Sequence, residues 1–262
     1  MSYASVIDKA IEEDEEAKGE GFTESDEAYI RFRRVVESGM VNAGFDLIPS
    51  KSSDVTQRSS GEKFTDQTLR GHILNGAAFG AQFNDTLKKI DPSSSLNQSE
   101  LLNALALFAC HDFHKTDEPQ KRRLRSKGGL GDEDKDLGED EVRELVDTLR
   151  LEELDTDLSF RDYYASALGA EKMSGRHKQV SSKQFDILKD WVRLMDAAAG
   201  MQSPVEANSL ENRVQKISSE VSLHYHSVDD ARGVSTNILN HAISEYLTEE
   251  GVEDVVYFHN GV

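Results

Sequence analysis

The chain has 262 residues and a formal net charge of −19, from 49 acidic and 30 basic side chains. Its length corresponds to one large domain or two small ones. It has no apolar stretch near the roughly 18 residues of a membrane span, no leader-like N-terminus and only one cysteine. We therefore expect no membrane partner, no internal disulfide and a cytoplasmic location.

The acidic excess is spread along the whole chain. Such a surface is typical of proteins from salt-accumulating microbes (halophiles), and an ordinary acidic protein is the alternative. Net negative charge normally opposes nucleic-acid binding. In molar salt, however, the Debye length is only about 3 Å, so net charge does not exclude a DNA partner.

The spacing of apolar residues predicts a mainly helical protein. Predicted helices cover residues 4–17, 25–38, 66–90, 99–113, 139–150, 159–174, 181–199 and 204–217. Thr65 is the expected N-cap of helix 66–90, and helix 99–113 is apolar on every side, which indicates a central position. The polar segments 49–62 and 115–140 are predicted to be a surface loop and a mobile excursion.

The pattern changes after residue 217. Apolar and polar residues alternate over 221–226, which predicts a strand, and a helix at 234–247 and a second strand at 255–258 follow. The second strand ends near Asn260-Gly261, a hairpin-turn signal. Because the chain stops one residue later, we expect a small mixed α/β segment that belongs to a longer protein.

Ionisable residues interrupt three apolar helices. His111 and Asp112 end the central helix, His72 lies within the preceding one, and Asp196 adjoins the apolar stripe of helix 181–199. Buried ionisable groups are either paired or metal-bound, and this set has too little positive charge for pairing alone. Mixed imidazole and carboxylate ligands favour Mn, Fe, Co or Ni over Mg or Ca. A chance His-Asp pair is the alternative.

The order His72 … His111-Asp112 … Asp196 is similar to that of the HD metal-dependent phosphohydrolase superfamily. Residues 66–76, 109–115 and 196–204 resemble segments of the large subunit of the type I-D CRISPR effector complex, and 228–233 and 255–261 resemble the passage out of its HD domain. The resemblance covers roughly residues 60–262. It implies an all-α HD-domain bundle (59–217) and the start of a Palm-like region (218–262). The acidic helical segment that precedes them (1–58) is predicted from its own composition and periodicity.

The resemblance also implies roles for individual residues. The ligands of a principal divalent ion (Mn²⁺, Mg²⁺, Ni²⁺ or Co²⁺) would be His72, His111, Asp112 and Asp196, and the catalytic residues would be His111, Asp112 and Lys115. His177 is expected to bind a second metal or a substrate phosphate, with an exposed loop histidine as the alternative. His114 replaces the glycine common in His-Asp-x-Gly-Lys and is expected beside the site.

Basic residues follow the metal motif. Lys115 could approach a phosphate oxygen as a point charge, and a solvated helix-end lysine is the alternative. Five more basic residues lie at Lys121, Arg122, Arg123, Arg125 and Lys127. We predict that they contact the DNA backbone, which gives affinity without sequence information. A solvated loop that balances the acidic residues 132–140 is the alternative.

The function that the resemblance implies is that of a metal-dependent nuclease. It would cleave target DNA in type I-D CRISPR interference, an antiviral defence, with other effector subunits, a guide RNA and a helicase as partners. Two alternatives are an HD phosphohydrolase acting on nucleotides or a small cyclic phosphoester, and a scaffold subunit with a vestigial metal site.

Overall fold

A computed structural model describes residues 23–51, 67–116, 137–169, 183–200 and 204–221. Over these residues the protein is an all-α bundle, as predicted. Its helices are α1 (Glu24–Asn42), α2 (Leu69–Ile90), α3 (Gln98–Cys110), α4 (Glu139–Thr148), α5 (Phe160–Ala167), α6 (Lys183–Ala199) and α7 (Pro204–Ile217). Two very short strands, β1 (Pro49–Lys51) and β2 (Gln67–Thr68), pair antiparallel. The predicted helix 4–17 and the predicted α/β segment beyond residue 221 lie outside the described residues.

Helix α1 begins at a capping box. The side chain of Thr23 accepts a hydrogen bond from the Asp26 amide, and the Asp26 carboxylate accepts one from the Thr23 amide. Phe32, Val36 and Met40 are fully buried against the rest of the bundle. This apolar stripe confirms the helix predicted at 25–38, which extends four residues further to Asn42.

Helix α2 begins three residues later than predicted. Its N-cap is Thr68, not Thr65, because the Thr68 side chain accepts a hydrogen bond from the Gly71 amide at 3.1 Å. Thr68 is itself extended and pairs with Pro49 in the β1–β2 ladder. The prediction of a loop at 49–62 was therefore wrong for its first three residues, and residues 52–62 lie outside the described ranges.

Helix α3 occupies the centre of the bundle. An Asn97–Glu100 capping box starts it, and every residue from 101 to 110 is buried. The predicted end at Phe113 was wrong, because the last turn tightens: the His111 amide donates to the Phe108 carbonyl, three residues back, at 3.3 Å. A 3₁₀ turn at Phe113–Lys115 follows.

The remaining helices enclose α3. Helix α6 packs on α2, α3, α5 and α7, and the stripe predicted for it is buried, with Phe185, Leu188, Val192 and Met195 in the core. Helix α5 packs on α3 and ends at Ala167, short of the predicted Ser174, because Gly169 turns the backbone with a positive φ of 68°. Helix α7 covers the predicted residues 204–217.

In the part of the chain that the structure describes, no helix has both the length and the apolar character needed to cross a membrane.

Candidate metal centre

Three helices direct four ionisable side chains to one point inside the bundle. His72 lies in the first turn of α2, His111 and Asp112 directly follow α3, and Asp196 lies in the last turn of α6. Each of the four side chains offers one ligand atom, and these four atoms lie within 4.8 Å of one another. The helices place the residues together because α2, α3 and α6 pack against each other around the core.

Five of the six distances between the ligand atoms are nearly uniform. His72 Nε2 lies 3.3 Å from His111 Nε2, 3.5 Å from Asp112 Oδ2 and 3.3 Å from Asp196 Oδ1. His111 Nε2 lies 3.3 Å from Asp112 Oδ2 and 3.4 Å from Asp196 Oδ1. Four ligands held tetrahedrally at about 2.0–2.2 Å from one ion would lie about 3.3–3.6 Å apart, so these spacings match a metal centre.

The cluster is buried on all sides but one. His72, His111 and Asp112 have almost no solvent exposure, whereas the Asp196 side chain is 29% exposed. Burial lowers the pKa of His72 and keeps its imidazole neutral, in the form that binds metals. Burial alone would raise the pKa of Asp112, but its basic neighbours, His111 first and then Lys115, bring it well below its usual range.

The imidazole of His111 is held in one orientation. Its Nδ1 hydrogen-bonds to the carbonyl oxygen of Phe108, which fixes the proton on Nδ1 and directs the Nε2 lone pair to the cluster. The Phe108 ring stacks on the His111 ring at a centroid distance of 4.4 Å and lies 5.9 Å from the His72 ring. Phe108 therefore orients both histidines.

Gly76 makes room for the Phe108 ring. A Cβ at this position of α2 would lie 2.9 Å from the Met195 carbonyl of α6 and closer still to Phe108 Cζ. The glycine is required by the close approach of α2 to α3 and α6.

The two oxygens of the Asp112 carboxylate have different surroundings: Oδ2 lies within the cluster of ligand atoms, and Oδ1 lies on the side nearer to His114. Oδ2 contacts His72 and His111 and accepts a hydrogen bond from Lys115 Nζ. Oδ1 is buried and accepts no hydrogen bond from the described residues; His114 Nε2 lies 3.8 Å away. A buried carboxylate oxygen in this position is costly without a cation.

These observations together fit a divalent metal ion. The donor set is two imidazole nitrogens and two carboxylates, and its ligand atoms lie within 4.8 Å of one another. One histidine has its other ring nitrogen hydrogen-bonded to a carbonyl, and one buried carboxylate oxygen has no hydrogen-bond donor among the described residues. The buried group of His72, His111, Asp112 and Asp196 could therefore hold a metal ion.

The structure brings together the predicted site residues that lie in its described part. All four expected ligands of the principal metal meet, and Lys115 and His114 lie beside them. His177 and the basic residues Lys121, Arg122, Arg123, Arg125 and Lys127 lie outside the described residues. Sequence reasoning missed Phe108 and Gly76; a glycine within an apolar helix is a signal of close packing that could have indicated the second.

Comparisons of the chain with protein-family models, with curated proteins and with solved structures give no match.

Proposed function

We propose that this protein is a metal-dependent phosphodiesterase whose active centre is the group of His72, His111, Asp112 and Asp196. The observation that carries the proposal is the convergence of these four ligand atoms, within 4.8 Å of one another, inside the bundle. A divalent ion in such a site supplies an activated water nucleophile and neutralises charge on a phosphoryl group. Phosphodiesters resist uncatalysed attack by hydroxide because they are anions, so this chemistry suits them.

The charge of the site favours an anionic substrate only when the metal is present. The two carboxylates and the Lys115 ammonium sum to −1 with both histidines neutral, and a divalent ion changes this to +1. Solvent reaches the cluster beside Asp196, and the His114 and Lys115 side chains are also partly exposed. A phosphate that enters there would meet Lys115 Nζ as a hydrogen-bond donor.

The finer proposal is a nuclease that cleaves target DNA in type I-D CRISPR interference. It rests on the sequence resemblance. The residues that carry the resemblance, His72, His111-Asp112 and Asp196, are the same four that cluster here. In this proposal residues 59–217 form the HD domain, and the partners are DNA, other effector subunits, a guide RNA and a helicase. The acidic chain would bind DNA best at high salt, where repulsion is screened.

A specific observation favours a second candidate, a phosphohydrolase for a nucleotide or a small cyclic phosphoester. Three of the four ligand residues are almost completely buried, and only Asp196 is substantially exposed. A site with so little exposure suits a small substrate, which can enter whole, whereas a polymer could present only a single phosphate to it.

The test is a hydrolysis assay of the purified chain in high salt with Mn²⁺. The substrates are end-labelled single-stranded DNA, end-labelled double-stranded DNA and a cyclic dinucleotide. The variants are Asp112→Asn and the matched control Asp186→Asn, which changes an exposed aspartate of α6 that forms an ion pair with Lys189. We expect cleavage of DNA that falls at least about a thousandfold in Asp112→Asn, because an active-site metal contributes several kcal/mol to the barrier.

Each outcome separates the candidates. Hydrolysis of the cyclic dinucleotide without DNA cleavage would favour the small-phosphoester enzyme. A chain that hydrolyses none of the substrates while its metal is bound would contradict the phosphodiesterase proposal, and a chain that binds no metal would favour the scaffold with a vestigial site.

A further inference from the structure

The end of helix α3 departs from α-helical hydrogen bonding where the metal ligands begin. In a continued α-helix the amide of His111 would donate to the carbonyl of Leu107, four residues back. Instead it donates to Phe108, at 3.3 Å. The ring nitrogen Nδ1 of His111 also hydrogen-bonds to the Phe108 carbonyl. The backbone amide and the Nδ1 of His111 therefore both depend on this tightened turn.

The Leu107 carbonyl receives a side-chain donor from another helix. The hydroxyl of Ser166, in α5, donates to it at 2.7 Å. Ser166 is fully buried, and helix α5 packs directly on α3. In the tightened turn the His111 amide donates to Phe108 and not to Leu107. The Ser166 hydroxyl therefore supplies the hydrogen-bond donor for the buried Leu107 carbonyl.

The alternative pairing would move the metal ligands. A 3₁₀ turn advances about 120° per residue and an α-helical turn about 100°, so conversion of the last turn would rotate the His111 side chain by roughly 20° about the helix axis. The Phe108 bond that fixes the imidazole would weaken, and Asp112 would be displaced with it. Ligands to a metal tolerate errors of only about 0.5 Å.

We propose that Ser166 is a positioning residue of the metal centre, which acts by holding the end of α3 in its tightened form. The inference rests on the proposed metal site. Without the hydroxyl, the Leu107 carbonyl either stays buried without a donor or takes back the His111 amide. If the His111 amide donates to Leu107 again, the carbonyl is no longer unpaired, but the His111 and Asp112 side chains are displaced from the metal site.

The experiment titrates the metal-free chain with Co²⁺, following both affinity and the visible absorption bands of the bound ion. The variant is Ser166→Ala. The matched control is Ser25→Ala, which changes a fully buried serine bonded to Asn84 between α1 and α2, where no metal ligand is touched. We expect Ser166→Ala to bind Co²⁺ about tenfold more weakly, with altered bands, and Ser25→Ala to match the wild type.

Equal affinity and identical bands in Ser166→Ala and the wild type would overturn the inference, as would an equal loss in both serine variants. If Ser166→Ala fails to fold, the same comparison with Ser166→Cys, a weaker donor of similar volume, decides in the same way. A wild-type chain that binds no Co²⁺ would instead refute the metal site itself, so the two failures are distinct.

Discussion

The Asp112→Asn variant is expected to lose divalent metal binding, with affinity reduced by more than about a hundredfold. Removing a partner that only orients a ligand costs about 10–100-fold, and in the proposed site Asp112 is itself a ligand, with no solvent exposure. The asparagine keeps the shape of the side chain but removes the negative charge from the only fully buried carboxylate of the cluster. Isothermal titration with Mn²⁺ measures the loss.

The same variant is also expected to lose the part of the free energy of unfolding that metal binding contributes. At a free Mn²⁺ concentration of 100 times Kd, binding should raise the free energy of unfolding of the wild-type chain by about 2.7 kcal/mol, and this gain should vanish in Asp112→Asn. The control Asp186→Asn should keep it. Equal stabilisation of all three chains by Mn²⁺ would mean that the ion binds elsewhere.

The Gly76→Ala variant is expected to reduce both stability and metal affinity. Its new methyl group would meet the Phe108 ring on one side and the Met195 carbonyl at 2.9 Å on the other. Overpacking costs about 1–3 kcal/mol, and the gain in helix propensity offsets about 1 kcal/mol of it. We expect a net loss of up to about 2 kcal/mol in denaturant unfolding. We also expect an affinity for Mn²⁺ about tenfold lower, because Phe108 orients the two histidines of the proposed metal site.

Gly39→Ala is the matched control for Gly76→Ala. A Cβ at Gly39 would lie 2.8 Å from Leu149 Cα, so this substitution also crowds a helix contact, but on α1, which contributes no metal ligand. It should lose stability and keep its affinity for Mn²⁺. Wild-type affinity in Gly76→Ala would show that the Phe108 ring does not hold the histidines.

Within the described residues, the sequence was sufficient to predict the helices and the four clustered side chains. Helical periodicity identified the buried faces, such as Phe185 to Met195 on α6, because burial of an apolar stripe is what holds a surface helix in place. The cluster was predictable because His72, His111 and Asp112 are costly to bury alone. Their convergence depends on how the helices pack, which the apolar stripes largely specify.

The details that shape the site were not predictable in the same way. The end of α3 at Cys110 depends on a hydrogen bond from Ser166, more than fifty residues later in the chain, and no local pattern encodes such a contact. The start of α2 was misplaced for a related reason: the chain offers two threonines, Thr65 and Thr68, and pairing with β1 selects the second.

Anomalous diffraction from crystals of the chain grown with Mn²⁺ would show directly whether the four clustered residues bind one ion. We expect one strong peak about 2.0–2.2 Å from Nε2 of His72, Nε2 of His111 and a carboxylate oxygen each of Asp112 and Asp196. A saturated crystal with no peak among these four residues, or with a peak bound by other side chains, would contradict this expectation.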